Sequence, residues 1–370
     1  MRYIHPEKFA RIVSHARNTN PYYARTIPQN GPVPILTRML LKEHNFEILN
    51  GNEPNSHTSG ATATHVKVFI NEERRGLDMP FISSMVQHMG GVLPRMEIMY
   101  PRAENPPFFL TIFTPIPEQV SVLQQNYLER KSVAIITYPS NAVLLAQEII
   151  DQKLDFGFMQ RVGMISESLN EQQTALIKQA FPNARLWSSY SSTETGMISF
   201  QCPYQPEFHH AFTDKLGIEI VDDQDNECDI GQIGEIVLTD YTNRQMPLIR
   251  YKIGDLAAFA KCPCGKIPHP ALENILGKVR GCLRHRDGRL IHFLKLSRAI
   301  CDIPIVRQFQ VIQHELERFT MKLVADRSAE KMIVAAFTED FGYTPRIDFE
   351  WLTEIPRDPN GKFYASICHV

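Results

Sequence analysis

A hydroxyl-rich segment at residues 188–200, SSYSSTETGMISF, surrounds a single carboxylate, Glu194. So many side chains that seek hydrogen bonds disfavour the middle of a packed helix or strand. Mg²⁺ is bound in proteins by one or two carboxylates together with phosphate oxygens. Glu194 therefore has the chemistry to hold Mg²⁺, while Thr193 can meet a phosphate oxygen and Tyr190 can lie against a purine. A capped surface turn is the alternative interpretation.

A second run of small and hydroxyl-bearing residues, HTSGATAT at residues 57–64, precedes the alternating segment HVKVFI. Backbone N–H groups and Ser or Thr hydroxyls in such a loop can wrap a polyphosphate. A flexible solvent loop is the alternative interpretation of these residues.

Two further segments place a charge beside a glycine turn. In RYKIGD, at residues 250–255, Asp255 follows Gly254, where its carboxylate can accept both hydroxyls of a ribose. A turn aspartate that caps its own backbone is the alternative. In PRDPNGK, at residues 356–362, a turn holds out Lys362. That lysine can bring positive charge to a reacting phosphate or lie solvated at the surface.

Cysteine and histidine side chains recur around the same part of the chain. Cys202 is followed by the pair His209 and His210, and CPCG at residues 262–265 places Cys262 and Cys264 one residue apart. Three cysteines and one histidine make a tetrahedral set, which usually holds zinc. With no open coordination position, the predicted zinc is structural. Four unligated residues are the alternative.

These motifs, in this order, resemble those of the acyl-adenylate-forming superfamily, and especially its phenylacetate–coenzyme A ligase-like branch. The resemblance extends from Thr58 to Lys362. It is strongest over residues 160–260, where VGMISESL and FPNARLWSSYSSTETG are similar to the family's strand, Ser-Glu turn, helix and Tyr-Gly-Ser-Thr-Glu. RYKIGD is the most specific single match.

The resemblance implies an ATP-dependent ligase that converts a carboxylic acid into an acyl adenylate, releases pyrophosphate and transfers the acyl group to a thiol. The implied catalytic residues are Thr193, Glu194 as the Mg²⁺ ligand, and Lys362 between the acyl carboxylate and the α-phosphate. The implied nucleotide-binding residues are Ser59, Gly60 and Thr62 at the β- and γ-phosphates, Tyr190 at the adenine, Ser192, Thr193 at the α-phosphate, and Asp255 and Lys278 at the ribose.

The resemblance also bears on the zinc site. Some relatives carry a cysteine and a histidine after the Thr-Glu segment, an aspartate four residues beyond the histidine, and a later Cys-Pro-Cys-Gly. Asp214 has this spacing from His210, so the resemblance favours His210 over His209 as the fourth ligand.

Several positions depart from the family pattern. Ala63 and Thr64 stand where the family usually has a second glycine and often a lysine, and Ser191 replaces the glycine after the tyrosine. The hinge, usually Gly-Arg-x-Asp-Asp, reads GKVRG at residues 277–281. These departures leave open a rival interpretation, a non-catalytic, zinc-stabilised nucleotide-binding protein.

The composition excludes several classes of protein. The 370 residues carry a formal net charge of −2, which argues against nucleic acid as the main partner. The longest apolar runs are too short to span a membrane, and the first residues lack the apolar core of a secretory signal. An odd number of cysteines, seven, is typical of reduced thiols in the cytoplasm. A homodimer is left open.

Strand-like and helical segments alternate up to about residue 200, which predicts an α/β fold with a mostly parallel sheet. From about Leu216 the pattern indicates an antiparallel, partly barrel-like subdomain, and the last part of the chain has α+β character. We expect a large N-terminal adenylation domain, residues 1–277, and a small mobile lid domain, residues 278–370.

The sequence says less about the carboxylic acid substrate and about the acceptor of the acyl group. The resemblance implies that the acid lies beside the Tyr190 strand, near the loop TYPSN at residues 137–141, and the aromatic residues there suit an aryl or unsaturated carboxylic acid. Coenzyme A is the acceptor that the branch implies. The phosphopantetheine of an acyl carrier protein, or an amine, would use the same adenylation.

Overall fold

The computed structural model describes residues 2–57, 66–101, 105–167, 169, 171–275, 283–291, 293–357 and 363–370. Within them the helices are α1 (Pro6–Thr19), α2 (Pro21–Thr26), α3 (Arg38–Glu43), α4 (Asn45–Leu49), α5 (Glu72–His88), α6 (Ile116–Arg130), α7 (Pro139–Asp151), α8 (Glu171–Ala180), α9 (Phe293–Cys301) and α10 (Ala329–Phe341).

The strands of the first half are β1 (Arg2–Tyr3), β2 (Ser56–His57), β3 (Lys67–Val68), β4 (Arg95–Met99), β5 (Phe109–Thr111), β6 (Ala134–Thr137), β7 (Arg161–Ile165), β8 (Arg185–Ser192), β9 (Gly196–Gln201) and β10 (His209–Ala211). Those of the second half are β11 (Leu216–Val221), β12 (Gly234–Asp240), β13 (Tyr251–Ala260), β14 (Ala271–Glu273), β15 (Leu283–Arg284), β16 (Leu290–Ile291), β17 (Val306–Glu315), β18 (Arg318–Ala325), β19 (Arg346–Trp351) and β20 (Ser366–Cys368).

The chain divides into two compact units. The first comprises Met1–Leu93 and Trp187–Leu276, and the second comprises Pro94–Leu186 and Gly277–Val370. The predicted boundary at residues 277/278 lies beside one of these division points and among residues that are not described, so it stays a prediction.

The sheet of the first unit has the order β1-β11-β12-β13-β14-β10-β9-β8, with antiparallel neighbours throughout. Strands β11 and β12 are almost entirely buried, and their buried residues include the carboxylates of Glu219 and Asp240. The antiparallel strands predicted from about Leu216 are therefore confirmed, and the partly barrel-like arrangement stays a prediction.

The spacing of Phe9, Ile12, Val13 and Ala16 predicts an amphipathic helix, and helix α1 forms over these residues. Pro6 occupies the first turn, where a missing N–H costs nothing, and Glu7 lies at the positive end of the helix dipole. Ile12 and Ala16 are buried in the core of the first unit, and Phe9 and Val13 pack against it.

The second unit contains the predicted parallel strands, in the order β7-β6-β4-β5. Its apolar core is built from these strands with α6, α7 and α8. The C-terminal residues of the unit form the sheet β19-β18-β17-β20, whose core includes apolar residues of α9 and α10. The α/β class and the α+β character of the last residues are therefore confirmed.

Within the described residues, no helix combines the length and the hydrophobicity that crossing a membrane requires.

Candidate active site and metal centre

The predicted magnesium ligand, Glu194, lies in the tight turn between β8 and β9. The expectation that the hydroxyl-rich run 188–200 avoids strands was wrong, because residues 188–192 lie in β8 and residues 196–200 in β9, and these two strands pair with each other. Ser192 pairs with Gly196 across this hairpin, and Thr195 N donates to Ser192 Oγ at 3.0 Å. Glu194 is only 4% exposed. A solvated surface turn would leave its carboxylate in water, so burial favours the functional interpretation over the capped turn.

Two buried cations fix the backbone of this turn. Arg74 Nη1 donates to the carbonyls of Thr193 and Glu194, at 3.2 and 2.7 Å, and Lys215 Nζ donates to the carbonyl of Thr195 at 2.9 Å. Three successive carbonyls are therefore held by charged donors, which form stronger hydrogen bonds than neutral ones. We call Arg74, Lys215 and Asp78 the turn brace.

Asp78 is the anion of the turn brace. One of its oxygens accepts from Lys215 Nζ, and the other accepts from Met197 N at 3.2 Å. Lys215 is completely buried, and this burial lowers its pKa against the opposing effect of Asp78. Asp78 and Arg74 both come from α5, which begins after Asn71, whose side chain accepts from Arg74 N at 3.0 Å.

The carboxylate of Glu194 has partners of its own. Arg38 Nη1 lies 2.7 Å from Glu194 Oε1, and Tyr251 Oη lies 3.2 Å from the same oxygen. Burial lowers the pKa of Arg38, but Tyr251 and Glu194 raise it by more, so the net pKa is raised. The guanidinium therefore stays charged beside the carboxylate.

Asp255 and Tyr190 also lie together in this unit. Tyr190 Oη donates to Asp255 Oδ2 at 2.5 Å, and burial followed by the Asp255 charge raises the pKa of Tyr190 well above its ordinary value. A buried carboxylate that accepts from a hydroxyl has the chemistry that binding a ribose requires. The structure thus brings together Tyr190 of β8 and Asp255 of β13, which are 65 residues apart.

Five of the predicted site residues lie outside the described residues. These are Ser59, Gly60 and Thr62 of the hydroxyl-rich loop, together with Lys278 and Lys362. Their roles remain those implied by the sequence resemblance. Ser192, Thr193 and Glu194 all lie in the described hairpin.

The predicted zinc ligands meet in the first unit. One ligand atom from each of Cys202, His210, Cys262 and Cys264 lies within 4.8 Å of the others. Cys202 Sγ and Cys262 Sγ are 3.7 Å apart, and Cys264 Sγ lies 3.6 Å from His210 Nε2. For bonds of about 2.3 Å, the edge of a tetrahedron is about 3.8 Å, so both distances suit zinc.

The two adjacent histidines differ in what their rings contact. His210 Nδ1 lies 2.9 Å from the carbonyl of His269, which leaves Nε2 directed at the thiols. This backbone contact is the kind that orients a metal-binding histidine. His209 instead contacts Ser188 Oγ through Nε2 at 3.2 Å. The geometry therefore selects His210, as the resemblance favoured.

Sequence reasoning missed four side chains around Glu194, namely Arg38, Arg74, Asp78 and Lys215. None of the four lies in a recognisable motif. Arg38, Arg74 and Asp78 come more than 100 residues before Glu194, and Lys215 lies beyond the β8–β9 hairpin. A weak signal exists for Arg38, because it follows Thr37, a typical N-cap residue, after the apolar segment PVPIL.

Comparisons with known proteins agree with this fold. Over residues 283–368 the chain matches the CapK C-terminal domain family. Protein CapK of Staphylococcus aureus is 26% identical over 148 residues, which cover 38% of this chain and 33% of that protein. A phenylacetate–coenzyme A ligase of Thermus thermophilus is 29% identical over 119 residues, covering 31% and 26% of the two chains. These matches thus span about a third or less of the curated relatives.

A solved 2-hydroxyisobutyryl-CoA ligase in the postadenylation state, in complex with 2-HIB-AMP, superposes with a TM-score of 0.76 at 16% identity. The superposition covers 98% of this chain and 88% of the other. The chain therefore has the fold of the AMP-forming acyl-CoA ligases.

The resemblance to the acyl-adenylate-forming superfamily and its phenylacetate–coenzyme A ligase-like branch, which the motifs predicted, is confirmed. The phenylacetate–coenzyme A ligase and the 2-hydroxyisobutyryl-CoA ligase are both named as ligases, which supports an enzyme of that class.

Proposed function

We propose that this chain is an ATP-dependent, AMP-forming acid–thiol ligase. It activates a carboxylic acid as an acyl adenylate, with release of pyrophosphate, and then transfers the acyl group to coenzyme A. The observation that carries the proposal is the buried carboxylate of Glu194, 4% exposed, in a braced hairpin turn of an adenylate-forming fold.

The first step joins two anions. A carboxylate oxygen of the acid attacks the α-phosphorus, and the bond from that phosphorus to the oxygen bridging the β-phosphate breaks. Such a reaction depends on positioning and on neutralising charge. Glu194 would hold the Mg²⁺ that comes with the nucleotide, which supplies positive charge at the phosphates. Lys362 adds a second positive charge between the acid and the α-phosphate.

Other residues bind the nucleotide. Thr193 meets the α-phosphate, Tyr190 lies against the adenine, and Asp255 accepts the ribose hydroxyls. Asp255 Oδ2 accepts from Tyr190 Oη at 2.5 Å, and the ribose hydroxyls would use the remaining acceptor sites of this carboxylate. The remaining contacts are Ser59, Gly60 and Thr62 to the outer phosphates, Ser192 within the turn, and Lys278 to the ribose.

In the second step, a thiol attacks the acyl carbonyl and AMP leaves with the bonding electrons, while the thiol proton is lost to solvent. Coenzyme A is the proposed donor of this thiol. A phosphopantetheinyl carrier protein and an amine are the other acceptors to test. The proposed acid is aryl or unsaturated.

A structural zinc ion would be held by Cys202, His210, Cys262 and Cys264. Three thiolates and one imidazole leave no open coordination position, so zinc would not take part in the reaction. Its effect would be to tie the β9–β10 connection, which carries Cys202, to the β13–β14 connection, which carries the other two cysteines.

The proposal is tested by pyrophosphate release with ATP, Mg²⁺ and a panel of aryl, unsaturated and fatty acids, with hydroxylamine to trap the acyl adenylate. Glu194→Gln and Lys362→Ala are compared with wild type. Glu47→Gln is the matched control, because Glu47 is an exposed carboxylate that also pairs with an arginine, Arg25.

We expect release with one class of acid, and a loss of at least about 100-fold in both site variants, the scale of a lost electrostatic contact in a transition state. Replacing hydroxylamine with coenzyme A, a carrier protein or an amine in the same reaction then identifies the acceptor. ATP binding without release for any acid would instead support the non-catalytic nucleotide-binding protein.

A further inference from the structure

Arg38 reaches the site because the chain before it is attached to β13. Leu36 N donates to Arg250 O and Lys252 N donates to Leu36 O, both at 2.9 Å, so Leu36 lies beside Tyr251 as a short parallel bridge. Thr37 Oγ1 then accepts from Leu40 N at 3.2 Å and begins α3. Arg38 is therefore placed in the first turn of α3, adjacent to Tyr251.

Three side chains form a closed triangle at this point. Arg38 Nη1 lies 2.7 Å from Glu194 Oε1 and 3.2 Å from Tyr251 Oη, and Tyr251 Oη lies 3.2 Å from the same carboxylate oxygen. The side chains of Arg38 and Glu194 are 14% and 5% exposed. Both described contacts to the carboxylate thus go to Oε1.

Because Oε1 of Glu194 is held by hydrogen bonds, the position of Oε2 on the same carboxylate is restricted as well. The terminal torsion of a glutamate is broad, so a carboxylate on a fixed backbone still rotates. The turn brace holds the backbone of Glu194, and the triangle holds Oε1, so the direction of Oε2 is determined as well. A metal ion at Oε2 would meet a carboxylate already oriented, which reduces the entropy lost on binding.

A contribution to folding stability does not by itself explain the buried ion pair between Arg38 and Glu194. Desolvating both charges offsets much of their attraction, and apolar residues of similar volume often replace buried ion pairs without loss. An orienting role explains why a guanidinium and a phenol converge on one oxygen of one carboxylate.

We propose that Arg38, assisted by Tyr251, is a positioning residue that holds Glu194 by Oε1 so that Oε2 coordinates the magnesium ion of the bound nucleotide. This inference rests on the proposed function, in which Glu194 is the metal ligand. It adds a residue that neither the sequence motifs nor the comparisons assign.

The test is calorimetric titration of the full chain with ATP, once with Mg²⁺ and once with EDTA. The ratio of the two affinities is the magnesium gain. The variants are Arg38→Met, Arg38→Lys and Tyr251→Phe, with Glu194→Gln as the metal-ligand variant. Arg25→Met is the matched control, since Arg25 pairs with the exposed Glu47 at 2.8 Å.

We expect Arg38→Met to reduce the magnesium gain about tenfold, the scale of one hydrogen bond to a charged group, while affinity in EDTA stays within about twofold. Arg38→Lys and Tyr251→Phe should keep part of the gain, and Arg25→Met all of it. Tyr251→Phe removes a single hydroxyl, so it remains informative if Arg38→Met does not fold.

Other results overturn the inference in distinguishable ways. An unchanged gain in Arg38→Met and Tyr251→Phe, with the gain lost in Glu194→Gln, removes the positioning role but leaves the metal ligand in place. An equal loss of affinity in Mg²⁺ and in EDTA means that Arg38 contacts the phosphates instead. If Glu194→Gln retains the full gain, the metal assignment of the proposed function fails, and the role of Arg38 fails with it.

Discussion

Replacing Gly196 with alanine tests whether the turn brace is as rigid as its contacts indicate. Gly196 has a φ of +73°, in the left-handed region that favours glycine. A Cβ atom there would lie 2.4 Å from Asp78 Oδ2, 3.2 Å from Lys215 Nζ and 3.3 Å from Arg74 Nε. All three neighbours are members of the brace, so the added methyl group forces at least Asp78 to move.

Gly196→Ala lowers the free energy of unfolding in two ways. The left-handed conformation costs an alanine about 1 kcal/mol more than a glycine. Moving Asp78 weakens its pair with Lys215, which is completely buried, and breaking such a pair altogether costs about 3–5 kcal/mol. We expect Gly196→Ala to lower the free energy of unfolding by more than the conformational cost, up to about 4–6 kcal/mol if the pair is lost.

Gly231→Ala is the matched control in the same unit. Gly231 has a φ of +82°, and no atom lies within 4 Å of the place that an alanine methyl group would occupy. Only the conformational cost of about 1 kcal/mol therefore applies. The difference between the two variants isolates the contact with the brace.

The assay is urea denaturation followed by tryptophan fluorescence. The chain has two tryptophans, Trp187 in the first unit and Trp351 in the second. In a Trp351→Phe background the signal comes from Trp187, which stacks on Phe200 of β9 at 5.1 Å and so reports on this hairpin. Equal costs for Gly196→Ala and Gly231→Ala would refute the rigid brace, because Asp78 would then have moved without losing its partner.

Two other predictions concern the proposed zinc ligands and the proposed ribose-binding pair, Tyr190 and Asp255. Purified wild type should contain about one zinc per chain by elemental analysis, and Cys262→Ser and His210→Ala should each lose most of it, while His209→Ala, outside the cluster, should retain it. Retention of zinc in His210→Ala would contradict the ligand set. Tyr190→Phe, which removes the donor to Asp255, should lower the free energy of unfolding by about 1.5–3 kcal/mol in the same denaturation assay; no change would mean that the 2.5 Å bond is not formed in solution.

The sequence could predict the elements whose patterns are local. Helix α1 followed from the spacing of Phe9, Ile12, Val13 and Ala16, and the parallel strands from β-branched runs such as that of β6. The cysteine and histidine set was accessible because zinc ligands have restricted types and spacings. The helix and strand patterns each lie within one short segment, and the zinc ligands lie in two short motifs.

The side chains around Glu194 could not be predicted in this way. Arg38 comes 156 residues before Glu194, and Arg74 120 residues before it, with no pattern that links them. Their pairing depends on how the Leu36 bridge and α5 meet the β8–β9 hairpin, which is a property of the tertiary fold. Arginines and lysines are usually exposed, so sequence alone predicts solvated side chains at these positions.

Three cationic side chains of the first unit surround the turn that carries Glu194. Lys215 and Arg74 are directed at carbonyls of the turn, and Arg38 is directed at Glu194, so these three cations are engaged by the protein itself. Under the proposed function, these cations would organise the site, and the positive charge at the triphosphate would come from Mg²⁺ and from a residue such as Lys362. We accordingly expect ATP to bind more weakly in EDTA than with Mg²⁺, and a wild-type chain that binds ATP equally well in both conditions would contradict this division of charge.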